Sequence, residues 1–372
     1  MINKLFNKIS KDSYIFIYLF WIFIFVVSNT KHLDYEQSLI LGAADGYNYL
    51  KITEFFPKFS EEIIPYHQAQ RFLLSFIVGL LSEILNSKNF FLFFRLVAYI
   101  VTIIFFILIY RFYKKNKKEI RIENFIILTS VILLNPYLIK YYISLPTLLN
   151  DLIFIILLFI FCENFYKNKA SIAISVLSLF FRQTGLILII IVGLKNFLDK
   201  KLIFKKKIFN ILIIITLAAI VININNFYAS NVSNKPFDYG HIFGIYNWII
   251  NDFNLIIFIK FISYPLLSLS PIILIFFLIE NKKDILNIKK IYYVLLIFLI
   301  CLQPYLGGPI LTSNNIVRLV TLIYPICFFL LIDLSFKKIL LKRIIMIFLL
   351  IFLHLWNLHP TYSRLSFFNY IS

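Results

Sequence analysis

Residues 90–118 read FFLFFRLVAYIVTIIFFILIYRFYKKNKK. From Phe90 to Tyr110 the only charged side chain is Arg95, and Lys114, Lys115, Lys117 and Lys118 close the run. As a helix, a stretch of about 20 apolar residues is long enough to cross the hydrocarbon core of a bilayer. There a helix satisfies its own backbone hydrogen bonds, which an irregular segment cannot do. The lysine cluster then marks the cytoplasmic end, because basic residues stay on the inner side of a membrane. This one segment predicts both a transmembrane helix and its direction, outside to inside.

Runs of the same kind recur along a chain that is 61% hydrophobic and holds 43 Phe. Further spans are expected at 13–29, 122–140, 146–165, 170–182, 184–195, 208–226, 258–280, 290–306, 316–334 and 340–358. The expected fold class is all-α: a polytopic transmembrane helical bundle of about 11 spans, with the N-terminus cytoplasmic and the C-terminus outside. Lys4, Lys8 and Lys11 precede the first run, which is read as an uncleaved helix rather than a signal peptide.

The net charge of +19 would indicate a nucleic-acid partner in a soluble protein. Here its distribution decides otherwise. The segments 1–12, 110–123, 163–169, 195–207, 280–290 and 333–343 hold 25 of the 37 Lys and Arg. That is a topology signal touching anionic headgroups, so membrane lipids are expected as partners and nucleic acid is not. The codon bias implied by abundant Ile, Asn, Lys and Phe suits an AT-rich bacterium, and the inner (plasma) membrane is the expected location. To keep the basic clusters inside, 170–195 must turn back on itself near Thr184-Gly185.

The longest outer stretch, 30–89, comes directly after the first helix. Between Lys31 and Lys88 it carries seven acids against five bases. Within it, FLLSFIVGLLSEIL (72–85) is apolar but too short to span, and is expected to be a re-entrant or interfacial helix. A second outer loop, Asn225 to Asn254, contains Asp238, His241, Trp248 and Asp252. Cys162, Cys301 and Cys327 lie in apolar runs without paired spacing and read as small core hydrophobes. No glycine-rich phosphate loop, metalloprotease helix or nucleophile elbow occurs, which argues against direct use of a cytosolic nucleotide.

Ionisable groups inside a membrane are costly, and they mark functional sites by default. With the runs oriented, Asp151, Arg182, Lys260 and Arg318 all fall near the outer ends of their helices. Asp45, in AADGYNY (43–49), suits a general base toward a hydroxyl; its structural alternative is a helix N-cap. Tyr49 is one of its aromatic neighbours and suits a pocket for a sugar ring. Asp151 either binds a divalent cation (Mg or Mn) with Asp45 or positions an acceptor; its structural alternative is a partner for Lys140 or Arg182. Arg182, in FFRQTG (180–185), requires an anion: a lipid phosphate held by two parallel hydrogen bonds, or Asp151. Arg318 opens a helix and reads as a phosphate ligand, whereas Lys260 reads as a snorkelling residue. Arg71 begins the short apolar piece, as part of a site or as an interfacial anchor.

In order and sidedness these features resemble the GT-C superfamily of polytopic glycosyltransferases, mannosyltransferase-like enzymes that use polyprenyl-phosphate sugars. The shared sequence of features is a first helix, a long outer loop with an early acid (Asp45), and Arg71-Phe72-Leu73-Leu74. It continues with Asn150-Asp151 after a proline-containing turn, then Arg182-Gln183-Thr184-Gly185. The resemblance covers roughly residues 10–200 of a single integral membrane domain (1–372), and residues 201–372 supply additional transmembrane helices. Asp45 has no adjacent acid, and the segment after Arg71 lacks a proline; both depart from the family pattern.

The resemblance implies hexosyl transfer from a polyprenyl-phosphate-linked donor to a hydroxyl of a glycan or lipid acceptor at the outer face, with inversion. Asp45 would be the base, Arg182 and Arg318 would bind the donor phosphate, and Asp151, Arg71 and Tyr49 would position the acceptor or a cation. The alternatives are a surface-polysaccharide polymerase or ligase, and a transporter or flippase of lipid-linked glycans. Polymerases tend to carry their large outer loop late, and transporters tend to carry charges at the midplane with repeated halves.

Overall fold

The computed structural model describes residues 11–30, 32–33, 44–199, 203–233, 240–280, 288–309, 315–336 and 343–344. Among them the chain is helical throughout, with a single isolated bridge between Ile279 and Phe336 and no strand. The helices are α1 (Lys11–Ser28), α2 (Ala44–Glu54), α3 (Tyr66–Ala69), α4 (Leu73–Ile84), α5 (Phe90–Asn116), α6 (Ile122–Leu133), α7 (Tyr141–Ser144) and α8 (Asn150–Glu163). Then follow α9 (Asn168–Ser178), α10 (Gly185–Leu198), α11 (Phe204–Val232), α12 (Gly240–Asn251), α13 (Leu255–Phe277), α14 (Ile288–Leu306), α15 (Asn315–Val320) and α16 (Tyr324–Leu331).

Three stretches, Phe90–Asn116, Ile122–Ser144 and Phe204–Val232, are long and apolar enough to cross a membrane. A fourth candidate is the pair Leu255–Ser263 and Ser268–Phe277, bent by 59°. Pro265 lies at that bend, where its ring and missing N–H break the helical ladder. The other apolar helices, among them Leu73–Ile84 and Gly185–Leu198, are shorter. The expected helix over 340–358 lies outside the described residues, apart from Arg343 and Ile344.

The long helices are apolar on both faces, as expected of helices that meet lipid. On α5 the side chains of Phe94, Ala98, Phe105 and Ile109 are buried, while Leu92, Leu96, Ile100, Ile103 and Ile107 are exposed. In water an exposed stripe of that kind would be an association hazard; against acyl chains it needs no cover. Asn89 starts α5 by accepting the Leu92 N–H at 3.1 Å, and Lys114 and Lys115 in its last turn face the negative end of the helix dipole.

The core is a stack of rings. Phe112, Phe159, Phe328 and Phe329 pack with centroids 5.0–5.8 Å apart, joining α5, α8 and α16. Edge-to-face contacts of this kind add to simple area burial.

The stretch expected as one helix over 122–140 is interrupted. Asn135 accepts the Tyr137 N–H at 2.9 Å, Pro136 opens a short π-turn, and Leu138 leaves helical geometry (φ −102°, ψ −108°). Pro136 cannot donate to the preceding turn, so the interruption falls where proline dictates. The expected helix at 146–165 starts as a tight turn at Pro146–Leu148, and α8 proper begins at Asn150. Residues 170–195 form two helices, α9 and α10, packed together with Arg182 in the turn between them. Gly185 allows this approach, since a Cβ there would run into the Ser178 hydroxyl and the Leu179 backbone. Most of the second outer loop is also helical: α11 continues to Val232, and α12 follows. Asp238 lies outside the described residues.

Candidate active site

α2 holds Asp45 in its first turn and Tyr49 one turn later. The Pro146–Leu148 turn packs against α2, and Asp151 follows in the first turn of α8. Arg71 lies between α3 and α4, Arg182 in the α9–α10 turn, and Arg318 on α15. These five charged residues, distant in sequence, form one cluster.

Asp151 is its centre. Its Oδ1 accepts a hydrogen bond from Arg182 Nη1. Its Oδ2 lies 3.4 Å from Arg318 Nε, an ion-pair distance without hydrogen-bond alignment. The side chains of Asp151 and Arg182 are only 3% and 6% exposed, so this is a fully buried pair. Arg318 bridges the two acids, with Nη2 3.7 Å from Asp45 Oδ2. Its guanidinium also lies over the Tyr141 ring at 5.7 Å from the centroid. Asp45 is the more open of the two carboxylates, with a side chain 29% exposed.

Amides hold the charges in place. Gln68 Nε2 donates to Asp45 Oδ1 at 2.5 Å, and Asn48 Nδ2 donates to Gln68 Oε1. Arg71 Nε donates to Gln183 Oε1 at 2.8 Å; the Gln183 amide nitrogen donates to Gln70 Oε1 and to the His67 carbonyl, each at 2.8 Å. Gln70 continues to Asn226 Oδ1 on α11 at 2.7 Å. On the other side, Arg182 Nε donates to Thr184 Oγ1 at 3.1 Å, and that hydroxyl donates to Gln303 Oε1 on α14 at 2.7 Å. The Tyr49 hydroxyl is buried beside Arg71 without a well-aligned bond, and burial raises its pKa.

The sequence-predicted residues Asp45, Asp151, Arg182, Arg318, Arg71 and Tyr49 thus meet in space. Lys260 takes no part in the cluster. Of the two partners expected for Arg182, Asp151 is the one seen, bonded to its Nη1, while Nε goes to Thr184. Sequence reasoning did not single out Gln68, Gln70 or Gln303. Gln303 carried a readable signal, an amide inside the apolar run IFLICLQPYL (297–306).

The donor set does not fit a divalent cation. Among the described residues no group of three His, Cys, Asp or Glu side chains converges. The two acids have the Arg318 guanidinium between them, whereas Mg or Mn requires several oxygens around one open point. What remains is three guanidiniums against two carboxylates, a buried excess of positive charge that favours an anion.

Compared with known proteins, the chain matches no family model, no curated protein and no solved structure.

Proposed function

We propose that this chain is a GT-C-like membrane glycosyltransferase, one that moves a hexose from a polyprenyl-phosphate donor to a hydroxyl of a glycan or lipid acceptor. In this reading it is an 11-span protein of the bacterial inner membrane, and the cluster opens to the outer face. The observation that carries the reading is the meeting of Asp45, the most open carboxylate, with a guanidinium cluster of excess positive charge.

The chemistry follows from that pairing. Asp45 takes the proton of the acceptor hydroxyl, whose oxygen attacks the anomeric carbon. The bond from that carbon to the phosphate oxygen breaks, configuration inverts, and the electron pair leaves on the lipid phosphate. Negative charge on the leaving phosphate grows in the transition state, where fixed guanidinium donors are most effective. Arg318 suits this contact, since it lies between the two acids with Nη2 3.7 Å from the partly exposed Asp45. Arg182 contributes mainly by holding Asp151, which in turn orients Arg318. Arg71 adds the charge that no carboxylate balances. Gln68 fixes the Asp45 carboxylate, leaving its second oxygen for Arg318 and the incoming hydroxyl.

The test is Asp45→Asn, which keeps shape and removes basicity. In membranes supplied with a radiolabelled polyprenyl-phosphate hexose, the wild type is expected to release the lipid phosphate and transfer the label. The variant is expected to lose this activity while its protein level stays unchanged. Retained transfer in the variant would refute the role of Asp45 as base.

A further inference from the structure

Among the described residues, 15 buried side-chain polar atoms have no hydrogen-bond partner, and seven of them belong to residues 141–151. They are the Tyr141 and Tyr142 hydroxyls, Ser144 Oγ, Thr147 Oγ1, both amide atoms of Asn150, and Asp151 Oδ2. Leaving such a group unpaired costs about 1–3 kcal/mol each. Chance imperfections would be scattered along the chain. This set is concentrated on one segment, and that segment borders the charge cluster at three points. The Pro146–Leu148 turn packs on the helix of Asp45, Tyr141 lies under Arg318, and Asn150 precedes Asp151.

Resting on the glycosyltransferase reading, we infer that residues 141–150 are the wall that pairs with the hydroxyls of a hexose ring held at this site. The chemistry matches the ligand. A sugar presents several groups that each donate and accept, and the three kinds of side chain here do likewise. Asn150 is the specificity determinant. Its amide offers a donor on one side and an acceptor on the other, suited to two neighbouring hydroxyls. A site built to bond a hydroxyl discriminates strongly against a substrate that lacks it, because its own polar atoms are then left unpaired. The hydroxyls could belong to the donor sugar or to a glycan acceptor; both present the same groups.

The experiment measures binding to the full chain in lipid nanodiscs with three probes. These are a polyprenyl phosphate, the same lipid carrying glucose, galactose or mannose, and a free disaccharide. Asn150→Ala is expected to bind the bare polyprenyl phosphate as the wild type does and to bind its preferred glycosylated lipid about tenfold more weakly. Tyr142→Phe removes one oxygen without changing shape and is expected to shift binding in the same direction by a smaller factor. If only disaccharide binding weakens, the wall still reads hexose hydroxyls, but those of the acceptor. Two results would overturn the inference while sparing the phosphate site: no wild-type preference for any sugar-bearing probe, or equal loss of the bare lipid in both variants. Failure of every probe to bind the wild type would instead remove the glycosyltransferase reading, and the wall with it.

Discussion

α8 carries Asp151 in its first turn and ends at Glu163, two carboxylates about 18 Å apart along one helix axis. Both are paired with basic residues, yet their surroundings have little in common. Glu163 meets Lys115 at 2.8 Å, and that lysine is 51% exposed. Close by in sequence, Lys117 reaches Asp12 on α1 at the same distance, again with a half-exposed ammonium. At the other end Asp151 is enclosed between two guanidiniums, with its side chain 3% exposed. One end carries charge that water can solvate and salt can screen, which suits a cytoplasmic rim of topology signals. The other carries charge that only protein or a ligand can satisfy. Similar pairs thus stand in water at one end and inside the protein at the other, and burial makes the difference.

The sharpest way to break this comparison is to remove the two carboxylates in turn. Asp151→Ala leaves Arg182 and Arg318 buried without their anion and is expected to destabilise the fold by about 3–5 kcal/mol. Glu163→Ala is expected to cost less than about 1 kcal/mol. Thermal unfolding of the two variants in the same detergent measures the contrast; equal shifts would dissolve the distinction between the ends. Arg182→Ala is expected to fall on the Asp151 side, with folded protein lost before donor binding can be read. Folded Arg182→Ala protein that merely binds donor lipid poorly would make this arginine a phosphate ligand instead.

A smaller effect tests the turn that delivers Arg182. Gly185→Ala pushes a methyl group into the Ser178 hydroxyl and the Leu179 backbone, forcing α9 and α10 apart. Overpacking of this kind costs about 1–3 kcal/mol. At the exposed end Gly193 has open space around it, and Gly193→Ala is expected to be neutral or slightly stabilising through helix propensity. Melting curves of the two glycine variants would separate these expectations.

The sequence made the helical character of the chain readable because the apolar run at 90–110 admits almost no other structure in lipid. It also exposed Asp151, Arg182 and Arg318, because a charge in such a run requires a reason. The turn at Arg182 followed from a subtler signal, the need to keep Lys167–Lys169 and Lys195–Lys207 on one side. The pairing was not legible. Which guanidinium takes Asp151 depends on how α8, the α9–α10 turn and α15 pack, and helix packing leaves no local trace in composition. The break at Leu138 was announced by Asn135-Pro136, but the apolar run on both sides masked it. Gln68 and Gln70 were invisible for another reason: glutamine in or beside a short helix is ordinary, and only contact shows what it holds.

The least effect is expected at the anchored rim, where salt provides the discriminating variable. Lys115→Ala and Lys117→Ala should each change stability by less than about 1 kcal/mol, since exposed pairs lose in side-chain entropy and screening much of what they gain. Raising ionic strength shortens the screening length from about 10 Å at 0.1 M to about 3 Å at 1 M. The melting temperatures of wild type and lysine variants should therefore converge in high salt. The penalty of Asp151→Ala should persist there, because counterions do not enter a buried cluster. If high salt were to erase the Asp151 penalty as well, solvent would have to reach Arg182 and Arg318 freely. The cluster would then be a second exposed rim, and its excess positive charge would lose the low-dielectric surroundings on which the proposed phosphate contact depends.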